Sequence, residues 1–189
     1  EKATQEVSSG DLVIVDGISG AVIVNPDSQT LRHYEALQKK FASLDEALLK
    51  AKDLPAVTPD GLKVGLMANI ELPEEIPSVI AHGSEGIGLY RTEFLYLNRE
   101  GLPNEEEQFE AYQYVAKAMT PQPVIIRTMD LGGDKFSSKL KMPTEMNPFL
   151  GWRGIRFCLG QPELFKVQLR AILRASVFGK VKVMYPMIS

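Results

Sequence analysis

The chain has 189 residues, 44% hydrophobic and 24% charged, a composition that suits a globular protein with a sizeable core and excludes disordered and collagen-like classes. Acidic residues outnumber basic ones 24 to 21, and the net charge of −3 with a pI near 5.5 argues against a non-specific nucleic-acid or membrane-surface binder. Any anion site must therefore be local. The single cysteine, Cys158, has no partner for an internal disulfide. No Cys/His cluster has zinc-ligand spacing, no apolar run reaches the ~18 residues of a membrane span, and Glu1 to Gly10 is no signal peptide. A cytoplasmic setting without membrane insertion is expected. The chain does not begin with Met and falls short of the ~250 residues typical of a closed βα barrel, so an excised piece is expected.

In chain order, Leu12 to Val15 and Ala21 to Val24 are β-branched runs separated by DGISG, a hairpin signal. From Ser28 to Lys52 the period becomes helical. Tyr34, Leu37, Phe41, Leu44, Leu48 and Ala51 form a seam suited to one neighbouring helix. The stretch DLPAVTPDG, Asp53 to Gly61, reads as a domain boundary. Beyond it strand and helix signals alternate. Strands are expected at Lys63 to Ile70, Gly86 to Tyr90, Pro123 to Arg127 and Lys180 to Ile188. Helices are expected at Pro73 to His82, Glu105 to Met119 with Asn104 as cap, Phe149 to Leu159, and Glu163 to Phe178. Such alternation predicts an α/β fold with a parallel sheet, in an open or barrel architecture. Four strands are half a barrel, whose exposed edges call for cover or a partner.

Ligands of βα folds bind at the C-terminal ends of the strands. Arg91 lies just past GIGLY, Arg127 just past PVII, Lys135 in the loop LGGDK, and Arg153 on the helix expected to open at NPFLGWRG. Four cations converging in a net-acidic chain would form an anion pocket, for which the arginine fork is suited. Glu93, Asp130 and Asp134 are nearby candidates for orienting them. Arg153 and Arg156 are expected on neighbouring helix positions, with Arg153 as the ligand contact and Arg156 structural. No Walker or Rossmann glycine motif is present, and GSEGIG precedes its strand, so it reads as a helix-to-strand turn. His33, His82, Cys158 and Trp152 are read as structural, the last two as packed core residues.

The runs GSEGIGLYRTEFLYLNRE, LPNEEEQFEAY, VIIRTMDLGGDK, NPFLGWRGIR and LRAILRAS closely resemble enzyme I of the bacterial phosphoenolpyruvate:sugar phosphotransferase system. The resemblance covers nearly the whole chain. It implies that residues 1–27 are the C-terminal hairpin of a phosphohistidine domain, 28–56 a helical linker, and 57–189 the first half of a (βα)8 TIM-type barrel that binds phosphoenolpyruvate and Mg²⁺. It further implies that Arg91, Arg127, Lys135 and Arg153 hold the phosphate and carboxylate of phosphoenolpyruvate. The parent enzyme would pass the phosphoryl group to its own histidine and then to the carrier protein HPr, as a homodimer.

Other features of that family have no match here. The GG-x-x-S-H context of the phosphorylated histidine is absent, and the resemblance places the Mg²⁺ carboxylates and the enolate-protonating cysteine outside this sequence. The expectation is an enzyme I fragment that supplies the cationic part of the pocket and is inactive alone. Two alternatives stay open: a self-associating half-barrel that binds anions, and a fragment of a pyruvate phosphate dikinase-like enzyme.

Overall fold

The computed structural model describes residues 3–97, 99, 101–131 and 151–188. They fall into two units, Glu1–Lys52 and Asp53–Ser189. Lys135 and Asp134, with most of the connection after Asp130 and the expected helix start at Phe149, lie outside the described residues.

In the first unit a short helix α1 (Ala3–Glu6) precedes an antiparallel hairpin of β1 (Val13–Asp16) and β2 (Ala21–Val24), with Val13 opposite Val24. The turn closes because Oδ1 of Asp16 accepts the N–H groups of Ile18 and Ser19 at 2.9 and 3.2 Å, an Asx turn that satisfies donors the ladder leaves free. Helix α2 (Ser28–Lys50) is capped by Asp27, which accepts the N–H of Thr30 at 2.7 Å. The seam begins against the chain's own hairpin. Leu31, Tyr34, Leu37 and Phe41 line a groove with Val13 to Ile18, whereas Leu44 and Leu48 are exposed.

The second unit is a mixed α/β structure. Strands β3 (Ala68–Ile70), β4 (Ile87–Tyr90), β5 (Pro123–Arg127) and β6 (Lys180–Met184) form a parallel sheet in sequential order. Between them run α3 (Ile76–Ala81), α4 (Glu105–Met119), α5 (Gly154–Gly160) and α6 (Pro162–Ala175). Ile70, Ile87, Tyr90, Val124 and Ile126 of the strands pack with Tyr112, Val115 and Met119 of α4 and with Ala171 and Ile172 of α6. On β5 buried residues alternate with partly exposed ones, and Ile125 and Arg127 fall on the partly exposed side. The cap predicted for α4 is present and is part of a capping box: Asn104 accepts the N–H of Glu107 at 2.9 Å, and Glu107 accepts that of Asn104 at 2.7 Å. Among the described residues no helix is long and apolar enough to cross a membrane.

Three elements differ from the expectation. Only Ala68–Ile70 of the first predicted strand joins the sheet, because a turn at Asp60-Gly61 folds the preceding residues locally: Lys63 bridges to Val57, and the N–H of Val64 donates to Ala56. The last strand stops at Met184, ahead of Pro186, which has no N–H to continue a ladder. The helix expected over Phe149 to Leu159 begins only at Gly154, whose φ is +56°. Arg153 is therefore its extended N-cap, not a helical residue, and shares no helix face with Arg156.

Candidate functional site

The arginines reach the site through the register of the sheet. Ile87 pairs with Val124 and Tyr90 with Ile126, so β4 carries one residue more than β5, and the pairing with β3 shows the same slip. This bulge turns both Ile87 and Tyr90 toward the helices. By alternation Arg91 then falls on the side of Arg127. Gly88 occupies the bulge, where a Cβ would lie 2.9 Å from Cβ of Met67. The N–H of Arg91 is held by the carbonyl of Ile70 at 2.9 Å.

Past the strand ends the charges alternate along a chain. Nη2 of Arg127 donates to Oε1 of Glu93 at 2.9 Å, and its Nη1 lies 3.4 Å from Oδ2 of Asp130. Nε of Arg153 donates to Oδ1 of Asp130 at 3.1 Å, and the N–H of Asp130 donates to Glu93 at 3.0 Å. These side chains are only 12–19% exposed, where removing one partner is far more costly than at the surface. Arg91 stands apart from this chain. It pairs with Glu71 at 2.6 Å, with side chains 42% and 59% exposed. Nε of Arg127 and Oε2 of Glu93 are buried without a partner among the described residues. The arrangement presents guanidinium forks whose geometry is set by carboxylates, suited to a small ligand bearing a carboxylate or phosphate by charge-assisted hydrogen bonding.

Residues 45–189 match the family described as PEP-utilising enzyme, PEP-binding domain. The chain belongs to this PEP-utilising family. It is 52% identical over 186 residues to proteins named phosphoenolpyruvate-protein phosphotransferase from Staphylococcus carnosus (strain TM300) and Staphylococcus aureus (strain MSSA476), and 50% identical to one from Bacillus sp. (strain S). Each alignment covers 98% of this chain and 32% of the relative, so the chain spans about a third of the length of the curated relatives it matches.

Of the site residues expected in this PEP-utilising chain, Arg127 and Arg153 share Asp130, while Arg91 sits at the neighbouring strand end with its own partner. Lys135 and Asp134 lie outside the described residues. Arg156 donates to the carbonyl of Gly151 at 3.1 Å and is exposed. Cys158 is buried beneath the site, its Sγ 3.8 Å from the carbonyl of Met129, and burial pushes its thiol up to about 11. Trp152 is not a core residue: it is 41% exposed and its ring covers Gly160.

Sequence reading missed Glu71, which follows Ile70 as Arg91 follows Tyr90, and it missed a buried polar network. Gln168 donates from Nε2 to Oγ1 of Thr92 at 3.1 Å and to the hydroxyl of Tyr112 at 3.2 Å, and its Oε1 accepts the N–H of Met129 at 3.0 Å. Tyr112 and Tyr96 donate onward to Oε1 of Gln108 at 3.2 and 3.0 Å. Burial raises the pKa of both tyrosines above the ordinary range. A signal existed. Gln108 and Gln168 interrupt the apolar stripes of α4 and α6, where a polar side chain must have buried partners.

Proposed function

We propose that this chain supplies the arginine side of a phosphoenolpyruvate pocket in a phosphoenolpyruvate-protein phosphotransferase of the enzyme I type. The observation that carries the reading is the chain Glu93–Arg127–Asp130–Arg153, at the C-terminal end of a parallel sheet in a chain of the PEP-binding family. On this reading residues 57–189 are the first half of a (βα)8 barrel, 28–56 a linker, and 1–27 the end of a phosphohistidine domain. Arg91, Arg127, Lys135 and Arg153 bind the phosphate and carboxylate of the substrate. Each guanidinium hydrogen bond to a charged oxygen contributes about 1.5–3 kcal/mol.

In the proposed reaction a histidine nitrogen outside this chain attacks phosphorus as the bond from phosphorus to the enolate oxygen breaks. The released enolate takes up a proton to become pyruvate. The phosphoryl group then passes to HPr, and the parent works as a cytoplasmic homodimer. The arginines orient the leaving enolate and neutralise the transferring phosphoryl group, the main work in such transfers. Mg²⁺ does not fit the residues at hand: no group of three His, Cys, Asp or Glu side chains clusters among the described residues, and Glu93 and Asp130 already accept from guanidinium groups. No step is therefore routed through the metal, whose ligands on this reading lie outside this chain.

Two measurements test the proposal. Calorimetry of the full-length protein with phosphoenolpyruvate should show binding that Arg127→Ala abolishes; equal affinity in the variant would overturn the reading. The 189-residue chain alone, incubated with ³²P-labelled phosphoenolpyruvate, should form no phosphohistidine. Labelling of His33 or His82 would refute its role as an incomplete part.

A further inference from the structure

We infer that Gln168, acting through Thr92 and the backbone of Met129, is a positioning residue that sets the spacing of the arginine-bearing loops. The inference rests on the phosphoenolpyruvate reading above. The ladder between β4 and β5 ends at the pair Tyr90 and Ile126, one residue short of Arg91 and Arg127. Beyond that point the two loops are held by side chains. Thr92, which separates Arg91 from Glu93, donates its hydroxyl to the carbonyl of Arg127 at 3.0 Å. Gln168 grips both loops at once, Thr92 by its Nε2 and the N–H of Met129, next to Asp130, by its Oε1.

The hydroxyl of Thr92 spends its one proton on Arg127, and that of Tyr112 spends its own on Gln108. Each oxygen must then accept from the amide of Gln168, which has two N–H donors to give. A flipped amide would set its NH2 against the N–H of Met129 and leave that N–H and both amide N–H groups without these acceptors, so the unflipped orientation is favoured. Thr92 and Gln168 are both 0% exposed. In so dry a site an unmade bond is costly and a made one rigid. One glutamine on α6 thereby ties together two strand ends and their loops, which carry four charged side chains, while touching none of them.

The test uses the full-length protein, with KM for phosphoenolpyruvate, kcat and melting temperature measured for Thr92→Val, Thr92→Ser and Gln168→Met. Thr92→Val and Gln168→Met are expected to raise KM about ten- to hundredfold when assayed well below each melting temperature, as misplaced binding groups do. Thr92→Ser, which restores the hydroxyl, is expected to return KM to within about threefold of the parent. If Thr92→Val lowers the melting temperature but leaves KM unchanged, the role is merely structural and the inference fails. Should Gln168→Met not fold, the Val and Ser pair decides. Arg127→Ala in the same assay separates the two readings. If it keeps the parental KM, the phosphoenolpyruvate reading falls and this inference with it; if it alone loses binding, only this inference falls.

Discussion

Arg153 holds Asp130 twice, donating from Nε to Oδ1 at 3.1 Å and from Nη2 to the backbone carbonyl at 3.3 Å. Lysine would keep the charge, but a single ammonium on a flexible stem cannot serve both acceptors in fixed geometry. Arg153→Lys in the full-length protein is therefore expected to weaken phosphoenolpyruvate binding by about tenfold, the equivalent of ~1.4 kcal/mol. Calorimetry reads this directly. An unchanged Kd would mean that charge alone suffices and that the fork is not needed.

The two strand-end arginines should differ sharply in what they contribute to stability. Arg127 compensates Glu93 and Asp130 in a site where side chains are at most 19% exposed, and deleting one partner of a buried pair costs about 3 kcal/mol. Arg91 and Glu71 are half-exposed, a setting in which an ion pair contributes roughly 0–1 kcal/mol. Urea unfolding of Arg127→Ala and Arg91→Ala should thus show a wide gap between midpoints. Equal midpoints would contradict the burial argument.

Gly154 allows the chain to turn from the extended Arg153 into α5. Its φ is +56°, and a Cβ there would lie 3.2 Å from Oδ1 of Asp130 and 3.3 Å from Cγ of Met187. The left-handed conformation alone costs a side chain about 1–2 kcal/mol. Gly154→Ala should lower stability by at least that amount and push Asp130 away from Arg153. A variant as stable as the parent in a denaturant titration would show that the turn does not require glycine.

Acid should loosen the start of α4. The backbone N–H of Asn104, and then Arg99, hold the carboxyl of Glu107 below the usual range, while Arg170 and Arg174 do the same for Glu105. The folded state therefore binds fewer protons than the unfolded one near these pKa values. Stability is full above the ordinary carboxylate pKa of about 4.3 and falls as pH drops through it toward the lowered values. Melting curves from about pH 7 to about pH 3 should fall less steeply for Glu107→Gln than for the parent. Parallel curves would remove Glu107 from the explanation. At neutral pH, Asn104→Ala should cost about 1 kcal/mol through the lost cap.

Much of this was legible in the residues. The Val/Ile runs around DGISG, the Asn104-x-x-Glu107 box and the alternation of PVIIR with its flanking helices carry their own structure, because local hydrogen bonding and hydrophobic periodicity act over a few residues. Arg91 and Arg127 could be placed at strand ends for the same reason. Elements whose fate depends on a distant partner were harder to read. Lys63 and Val64 have strand character, yet a local turn claims them. Arg153 looked helical, yet its own backbone is extended and the helix opens only at Gly154.

By itself, the amino-acid sequence determined the α/β class, the order of the strands and helices, and the strand-end positions of the arginines, since apolar spacing and turn residues report local preference directly. Tertiary structure alone decided which carboxylate each arginine meets. Glu71 takes Arg91, while Glu93 and Asp130 divide Arg127 and Arg153. It also decided that Gln168, 76 positions from Thr92, holds the loops together. Those pairings arise from a one-residue bulge in β4 and from helix packing across the sheet. Neither leaves a mark in local periodicity, because both depend on residues brought near only when the chain folds.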